Sequence, residues 1–363
     1  MALRRRSFTA LLALTLVACD GDKGLTGPAG PVGPPGDEGP QGPPGTSSDG
    51  GAAVRLYGDG RDGALDVPAG TTFLPLDSTG QYTTITIATG GTLRVASGTL
   101  LRATGDIDND GTIEVDPATF TGVRRYGSTM ADLAPATVPP HPGVALSAAE
   151  FGSVDMSSTF VAYGGAGGRG IGRAARWLTQ LFPSAGGAGA DSWPFDAVAT
   201  ESGGGSFHLR SGGEIRNAGT IRARGVDGGF GGLGGCGVGG GGGGAVLLAA
   251  ATQIDNGGGA IDVRGGNGQA ADGDQCGAGG GGGGGFVHLI APVIDAGDLQ
   301  FTGGQAGTAG VYGSLRWIGG GGGGGSAGNG GRGTGRINAT VSAASGGGTG
   351  AAYQIVAAPE TAL

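Results

Sequence analysis

Three alternating aspartates followed by a glycine form the pattern in this chain that best suits a metal ion. Asp106, Asp108 and Asp110 stand two residues apart, and Gly111 follows directly. Alternating carboxylates can converge on Ca²⁺, a hard cation that prefers oxygen ligands. A calcium loop of the EF-hand type would need a bidentate glutamate at its twelfth position, which is Pro117. We interpret the segment as a strand turn first and as a weak calcium candidate second, and we expect no cofactor and no other metal.

Two histidines occupy equivalent positions in an internal repeat. His208 stands in Phe-His-Leu and His288 in Val-His-Leu, but the copy between them has Leu247 at this position. If the repeats stack, the two imidazoles are about two layers apart, which is too far for shared metal ligation. We expect both histidines to face outward into solvent.

The chain shows no pattern that predicts catalysis. Polysaccharide lyases and hydrolases need paired carboxylates or a basic residue over a groove. The aspartates of the glycine-rich region are scattered without repeated pairing; they are Asp262, Asp272, Asp274, Asp295 and Asp298. The sequence has neither a nucleophile elbow nor a phosphate-binding loop in the required context. We therefore predict a protein that is not an enzyme, and a glycan-binding or polysaccharide-processing β-helix stays open as the alternative.

A repeat of about forty residues carries short runs of alternating apolar and polar side chains. Three copies, near residues 207–223, 246–265 and 287–303, are each followed by a glycine-rich loop, and an earlier copy lies at 100–115. Alternation over three to five residues is the period of a half-buried strand, and asparagine and glycine mark the turns. Such repeats predict an all-β fold, a β-solenoid or parallel β-helix. A β-sandwich of the same strands is the alternative.

In a β-solenoid the isoleucines of successive copies would stack in two inward columns. The first column would hold Ile107, Ile215 and Ile254, and the second would hold Ile113, Ile221 and Ile261. Asparagines at a fixed phase would stack at a turn; they are Asn109, Asn217 and Asn256, with Ala296 in their place in the last copy.

The glycine runs, such as 239–244 and 279–285, permit two interpretations. They could be flexible surface loops, or closely spaced extended chains that approach one another because they lack side chains. We favour ordered packing. With 91 glycines among 363 residues, the chain cannot build a dense side-chain core throughout.

Composition divides the chain into six segments. They are a leader at 1–18, an anchor and stalk at 19–50, N-terminal β repeats at 51–120, an irregular insertion at 121–202 with a short helix near 171–182, glycine-rich repeats at 203–345, and a tail at 346–363 with a strand candidate at 352–357.

The first residues have the composition of a secretion signal. Arg4, Arg5 and Arg6 precede an apolar run that is too short to span a bilayer. The tetrapeptide Leu-Val-Ala-Cys at 16–19 resembles the lipobox of bacterial lipoproteins. The resemblance implies that the Cys19 thiol receives a diacylglyceryl group, becomes the mature amino terminus and anchors the protein to a membrane. Asp20 leaves open which of the two bacterial membranes that is.

Nine consecutive Gly-X-Y triplets follow, from Gly21 to Ser47, with proline in the first variable position of five. Only glycine fits at the axis of a collagen triple helix, so this strict period predicts a collagen-like stalk and a homotrimer. A single-stranded polyproline II linker is the alternative. The segment resembles bacterial collagen-like surface proteins, and the glycine-rich repeats resemble those of adhesin-like proteins.

Two cysteines remain beyond the proposed anchor. Cys236 and Cys276 are forty residues apart and precede glycine runs in the same way. Equivalent residues in layers about 4.8 Å apart approach the Cα separation of a disulfide, and a secreted chain meets oxidising conditions. We predict a structural disulfide, with two free thiols as the alternative.

The overall charge is acidic. It is −8 for the whole chain and −11 once the three arginines of the leader are removed. This balance argues against nucleic acid as a partner. Together these features predict a lipoprotein on the outer membrane and cell surface of a bacterium. Its collagen-like stalk would display a glycine-rich β-solenoid for adhesion to a glycan or matrix ligand, or for matrix and envelope structure.

Overall fold

The computed structural model describes residues 49–74, 80–116, 153–155, 161–163, 203–229, 237–271, 277–308, 322, 324–337 and 340–362. The predicted leader, the lipidated Cys19 and the triplets lie outside the described residues. The predicted helix near 171–182 lies outside them as well.

The described residues form two helices and twenty-two strands. In chain order they are α1 (Asp49–Tyr57), β1 (Leu65–Val67), β2 (Gly70–Phe73), β3 (Gln81–Tyr82), β4 (Ile85–Ile87), β5 (Gly91–Val95), β6 (Thr99–Ala103), β7 (Ile107–Asn109), β8 (Thr112–Val115), β9 (Ser153–Asp155), β10 (Val161–Tyr163), β11 (Ser206–Ser211), β12 (Glu214–Asn217), β13 (Thr220–Arg222), β14 (Ala245–Ala250), β15 (Gln253–Asp255), β16 (Ala260–Asp262), β17 (Phe286–Ala291), β18 (Val293–Asp295), β19 (Asp298–Gln300), β20 (Gly335–Ile337), β21 (Thr340–Ser342), β22 (Ala351–Val356) and α2 (Pro359–Ala362).

Eighteen of these strands form three parallel sheets of six strands. Sheet 1 has the order β1-β4-β7-β12-β15-β18, sheet 2 has β2-β5-β8-β13-β16-β19, and sheet 3 has β3-β6-β11-β14-β17-β22. Each rung contributes one strand to each sheet, and every pairing within the three sheets is parallel. The fold is all-β and like a parallel β-helix. The alternative of a β-sandwich was wrong, because a sandwich pairs its strands in antiparallel fashion.

The core is a set of side-chain columns inside the three sheets. Ile107 pairs with Ile215, which pairs with Ile254, as the sequence predicted. The second predicted column, Ile113 to Ile221 to Ile261, also forms. All six side chains are buried in one continuous apolar cluster. Strands with a period of two place these residues inward and their neighbours outward, so the inward residues of each strand hold the sheet on the core.

An asparagine ladder runs along the turn after sheet 1. Asn109 donates its side-chain amide to Asn217 Oδ1 at 2.6 Å, Asn217 donates to Asn256, and Asn256 donates to the Ala296 carbonyl. The three side chains are buried. Each amide therefore meets its hydrogen-bonding needs from the next rung, and the ladder ends where Ala296 lacks an amide to continue it.

The early and late repeats form one continuous stack. Strand β6 pairs directly with β11, and β7 with β12, although more than a hundred residues separate them. The predicted strand at 352–357 is β22, which completes the last rung by pairing with β17. The segment 121–202 contributes β9 and β10 to an antiparallel four-stranded sheet of order β21-β20-β10-β9.

The glycine-rich segments between sheets 2 and 3 form a hydrogen-bonded bundle. We define the glycine bundle as residues 223–229, 237–244, 263–271, 277–285, 301–308, 324–334 and 345–350. Its backbone hydrogen bonds recur at every third residue, as from the amides of Gly237, Gly240 and Gly243 to the carbonyls of Gly277, Gly280 and Gly283. Three residues per turn is the period of polyproline II, which has no internal hydrogen bonds and leaves every backbone group free to bond to a neighbour.

Segment 277–285 shows how one extended chain bonds on three sides. Its amides at Gly279 and Gly282 donate to segment 263–271, and its amides at Gly281 and Gly284 donate to segment 345–350. Its carbonyls accept from segment 237–244. The prediction of ordered packing over flexible loops is thus confirmed for the described glycine runs.

The bundle excludes side chains by its spacing. A Cβ on Gly282 would lie under 3.0 Å from the Gly241 carbonyl oxygen, and a Cβ on Gly279 would lie as close to the Val238 carbonyl. Real Cβ atoms do not approach backbone oxygens this closely. Glycine is required here by the distance between chains, not by a left-handed backbone conformation.

We expect Gly282→Ala to lower the free energy of unfolding by about 3 kcal/mol or more, because the methyl group must push apart two hydrogen-bonded chains. Gly258→Ala is the matched control, since its Cβ would lie at an ordinary 3.6 Å from the Ala218 side chain. The control should be neutral or slightly stabilising. Thermal and denaturant unfolding followed by circular dichroism would measure both. Equal stability of the two variants would contradict the packed bundle.

Candidate functional site

The three aspartates of the calcium candidate have partners other than a cation. Arg216 Nε donates to Asp108 Oδ1 at 2.7 Å, and Arg216 Nη1 donates to Asp110 Oδ1 at 2.9 Å. Asp106 Oδ1 accepts the amide of Glu214 at 2.9 Å. Because Asp108 is the register partner of Arg216, the stack itself brings these charges together. Among the described residues no three histidine, cysteine, aspartate or glutamate side chains are grouped to hold a metal.

Three described aspartates of the glycine-rich repeats also accept hydrogen bonds from groups two residues away. Asp255 and Asp295 each accept the amide two residues ahead, from Gly257 and Gly297. Asp298 accepts from the Gln300 side-chain amide. These bonds shape turns and strand ends. Asp272 and Asp274 lie outside the described residues.

Asp262 is the one buried carboxylate among these aspartates. It forms a bidentate pair with Arg264, with Nη2 to Oδ2 at 2.7 Å. Burial alone would raise the pKa of Asp262, but the hydrogen bonds and charge of Arg264, with the charge of Arg224, outweigh it and hold the pKa below its usual value. The carboxylate is ionised and fully engaged at neutral pH, so it does not act as a free acid or base.

The predicted disulfide falls outside the described residues, as does Cys19. Cys236 and Cys276 are not described, but the residues that follow them are. The amide of Gly237 donates to the carbonyl of Gly277 at 2.9 Å. The two segments therefore run side by side at the position where the sequence predicts the bond.

The histidines are where the structure corrects the sequence most clearly. His208 pairs with Leu247 and Leu247 with His288, so the two-layer separation is confirmed. Both lie on the face of sheet 3 that points away from the β-helix core, yet they are only 4% and 1% exposed. The expectation of solvated histidines was wrong, because the outer face of sheet 3 is itself buried.

Two helices contribute to this second buried layer. Helix α1 packs against β6 and β11, and α2 packs against β17 and against α1. On the α2 side, Ile355 and Ala362 pack against a small apolar cluster of Leu247, Ala249 and Ile290. The Tyr57 hydroxyl of α1 donates to Glu360 Oε1 of α2 at 2.7 Å and ties the two helices together. No helix among the described residues has the length and apolar character needed to cross a membrane.

The outer face of sheet 3 is polar and cationic beside α1. Arg210 lies two residues from His208 on the same face, and its register partner on β6 is Arg102. Arg210 is 5% exposed. Burial and then the charge of Arg102 lower the pKa of Arg210 to about 10. A comparison of the copies at Leu101-Arg102 and Leu209-Arg210 would have revealed this pair in the sequence, since both arginines follow a core leucine at the same repeat phase.

Both imidazoles are held neutral. Burial, followed by the charges of Arg210 and His288, lowers the pKa of His208 to about 3. Burial lowers the pKa of His288 to about 4. Neither ring nitrogen of His288 has a hydrogen-bond partner in the described part of the chain, and its ring packs in a T-shaped arrangement with Phe286, with centroids 5.8 Å apart.

A comparison of this chain with known protein families, curated proteins and solved structures finds no match. Functional inference therefore rests on the residues and the geometry described above.

The buried histidines predict a specific loss of stability in mild acid. In the unfolded chain each imidazole takes up a proton below its ordinary pKa near 6.5, whereas in the folded protein it resists protonation down to about 4 or 3. Stability is therefore complete above pH 6.5 and falls as the pH is lowered. The loss is about 2 kcal/mol per histidine by pH 5.

The variant His208→Leu/His288→Leu should lose this dependence between pH 6.5 and 5, because leucine already fits the same column at Leu247. Denaturant unfolding at pH 7 and pH 5 would measure it, with pH 7 as the internal reference. The contribution of Asp262 is lost only at lower pH, as its pKa is depressed, so it does not mask the result. An unchanged drop in the double variant would show that the imidazoles are not buried in solution.

Proposed function

We propose that this protein is a non-enzymatic, membrane-anchored surface lipoprotein of a bacterium, whose collagen-like stalk displays the β-helix for adhesion or for matrix and envelope structure. The observation that carries the proposal is the order of parts along the chain. A lipobox-like tetrapeptide ends at Cys19, nine Gly-X-Y triplets follow, and folded structure begins at α1 and β1 within a few residues of the last triplet. Anchor, spacer and folded head is the arrangement expected of a displayed protein.

The chemistry of the head supports display over catalysis. Several described carboxylates are engaged by arginines or backbone amides, as in Asp108 with Arg216 and Asp262 with Arg264. A catalytic pair would need one free acid and one free base over a groove. The β-helix offers instead the outer faces of sheets 1 and 2, which are built from repeated rungs and suit contact with an extended partner.

The stalk would hold the folded head at a distance from the membrane. At about 3.1 Å per residue the 27 residues of the triplets extend on the order of 80 Å. Trimerisation of this segment would bring three heads together and raise the avidity of weak contacts to a glycan or matrix ligand.

Protease treatment of intact bacterial cells that express the protein tests the proposal. We expect a non-permeant protease to release peptides from residues 51–363 into the medium, where mass spectrometry would identify them. A Cys19→Ser variant should not fractionate with the membrane, because serine cannot form the thioether. The matched control Asp20→Ser keeps the thiol and should stay in the membrane fraction.

Three outcomes would overturn parts of the proposal. Release of peptides only after cell lysis would place the head inside the envelope and remove the adhesive role. Equal membrane retention of Cys19→Ser and the parent would remove the lipid anchor. Turnover of a surface polysaccharide by the purified protein would replace the non-enzymatic proposal with the glycan-processing alternative.

A further inference from the structure

Two arginines on neighbouring rungs point away from the β-helix core at the same place. Arg102 on β6 and Arg210 on β11 are register partners, and both alternate with core leucines, Leu101 and Leu209. Adjacent strands are about 4.8 Å apart, so the two side chains leave the sheet side by side. They lie on the outer face of sheet 3, on the strands that α1 packs against.

Neither guanidinium has a carboxylate partner among the described residues. The Nε atoms of Arg102 and Arg210 are buried and have no hydrogen-bond partner within the described ranges. Arg102 Nη1 donates to the Arg55 carbonyl at 3.3 Å. Neither arginine takes part in an ion pair within the described part of the chain, whereas Arg94, Arg216 and Arg264 all do. A buried charge without a counter-charge is costly by several kcal/mol, and buried ionic groups are ordinarily paired.

The surroundings offer little negative charge, and the two nearby imidazoles are neutral. His208 lies two residues from Arg210 on the same face, and His288 lies two rungs away. Tyr57 of α1 faces Arg210, but its hydroxyl proton is directed at Glu360. Glu360 is the nearest acidic group on α2, and it makes no ion pair with either arginine in the described structure. The cluster therefore has excess positive charge beneath α1.

We propose that Arg102 and Arg210 bind a small tetrahedral oxyanion, phosphate or sulfate, between α1 and the outer face of sheet 3. Each guanidinium presents Nε–H and one Nη–H as a fork, and two adjacent forks offer four donors to the oxygens of one anion. Arginine suits this role better than lysine because its planar fork pairs with oxyanions in a bidentate manner. The site goes beyond the display function and does not depend on it.

The burial of the site favours a small anion over a large one. Because Arg210 is only 5% exposed, a free inorganic anion can reach the pair more readily than a sulfate or phosphate group carried on a polymer. The Arg55 carbonyl of α1 accepts a hydrogen bond from Arg102 Nη1, which holds one fork in place. A planar carboxylate has only two oxygens for the four donors, so acetate should bind more weakly.

Calorimetric titration of the mature protein with sodium sulfate and sodium phosphate, at constant ionic strength set with sodium chloride, tests the site. We expect saturable binding of one anion per chain and a rise in melting temperature that saturates with it. Arg210→Gln should weaken binding at least tenfold. Arg222→Gln is the matched control, because it removes an equal charge from an exposed position on sheet 2 and should bind as the parent does.

A second measurement uses the unmodified protein, so its result does not depend on whether the variants fold. In the unmodified protein, a saturating anion should raise the pKa of His208 from about 3, as nuclear magnetic resonance of its ring would report, since the anion offsets the charge of Arg210. General stabilisation by sulfate does not saturate and persists in Arg210→Gln, so the difference between parent and variant isolates the site.

Three results would overturn the proposal. They are the absence of saturable binding, equal weakening in Arg222→Gln and Arg210→Gln, and binding of dextran sulfate without binding of the inorganic anions. The last result would mean that a sulfated polymer binds at the protein surface and that no small anion binds between α1 and sheet 3.

Discussion

The distance between neighbouring chains in the glycine bundle is the constraint on which the rest of the structure depends. In the late rungs the chain leaves sheet 2, crosses the bundle and returns to sheet 3. The bundle must therefore accept one extended segment after another without disturbing the β-helix register. The bundle can accept these segments because glycine lets neighbouring backbones lie very close together. The spacing is so small that a Cβ on Gly282 would collide with the Gly241 carbonyl oxygen. Hydrogen bonds at every third residue then replace the side-chain contacts that a normal core would supply.

This arrangement explains the composition of the chain. A β-helix needs few inward residues per rung, and the columns from Ile107 to Ile254 and from Ile113 to Ile261 supply them. The bundle needs glycine at nearly every position where chains cross. A protein built from both needs few aromatic and charged residues.

Sequence reasoning predicted the parts of the fold that follow from local periodicity. The isoleucine columns, the asparagine ladder and the two-rung spacing of His208 and His288 all follow from aligning the forty-residue copies, because parallel stacking converts repeat phase into spatial neighbours. The strand near 352–357 was also visible, but its place in the last rung depended on β17, which lies sixty residues away. No local pattern encodes that pairing.

Repeat phase does not predict whether the outer face of sheet 3 is buried or exposed. The alternation correctly placed His208 on the outward face, but its burial depends on packing against elements such as α1 and α2, whose short sequences carry no mark of where they dock. The partners of the calcium candidate were missed for a related reason. Arg216 reaches Asp108 across a rung, and only the register brings these residues together after more than a hundred intervening positions.

Amide hydrogen exchange in the glycine runs tests the central claim most directly. The account predicts that peptides covering 239–244 and 279–285 exchange as slowly as those covering β14 and β17, because their amides donate to neighbouring chains of the bundle. Exchange of the glycine runs at the rate of an unstructured chain, with β14 and β17 still protected, would contradict it. The runs would then be flexible loops attached to a β-helix that stands without them.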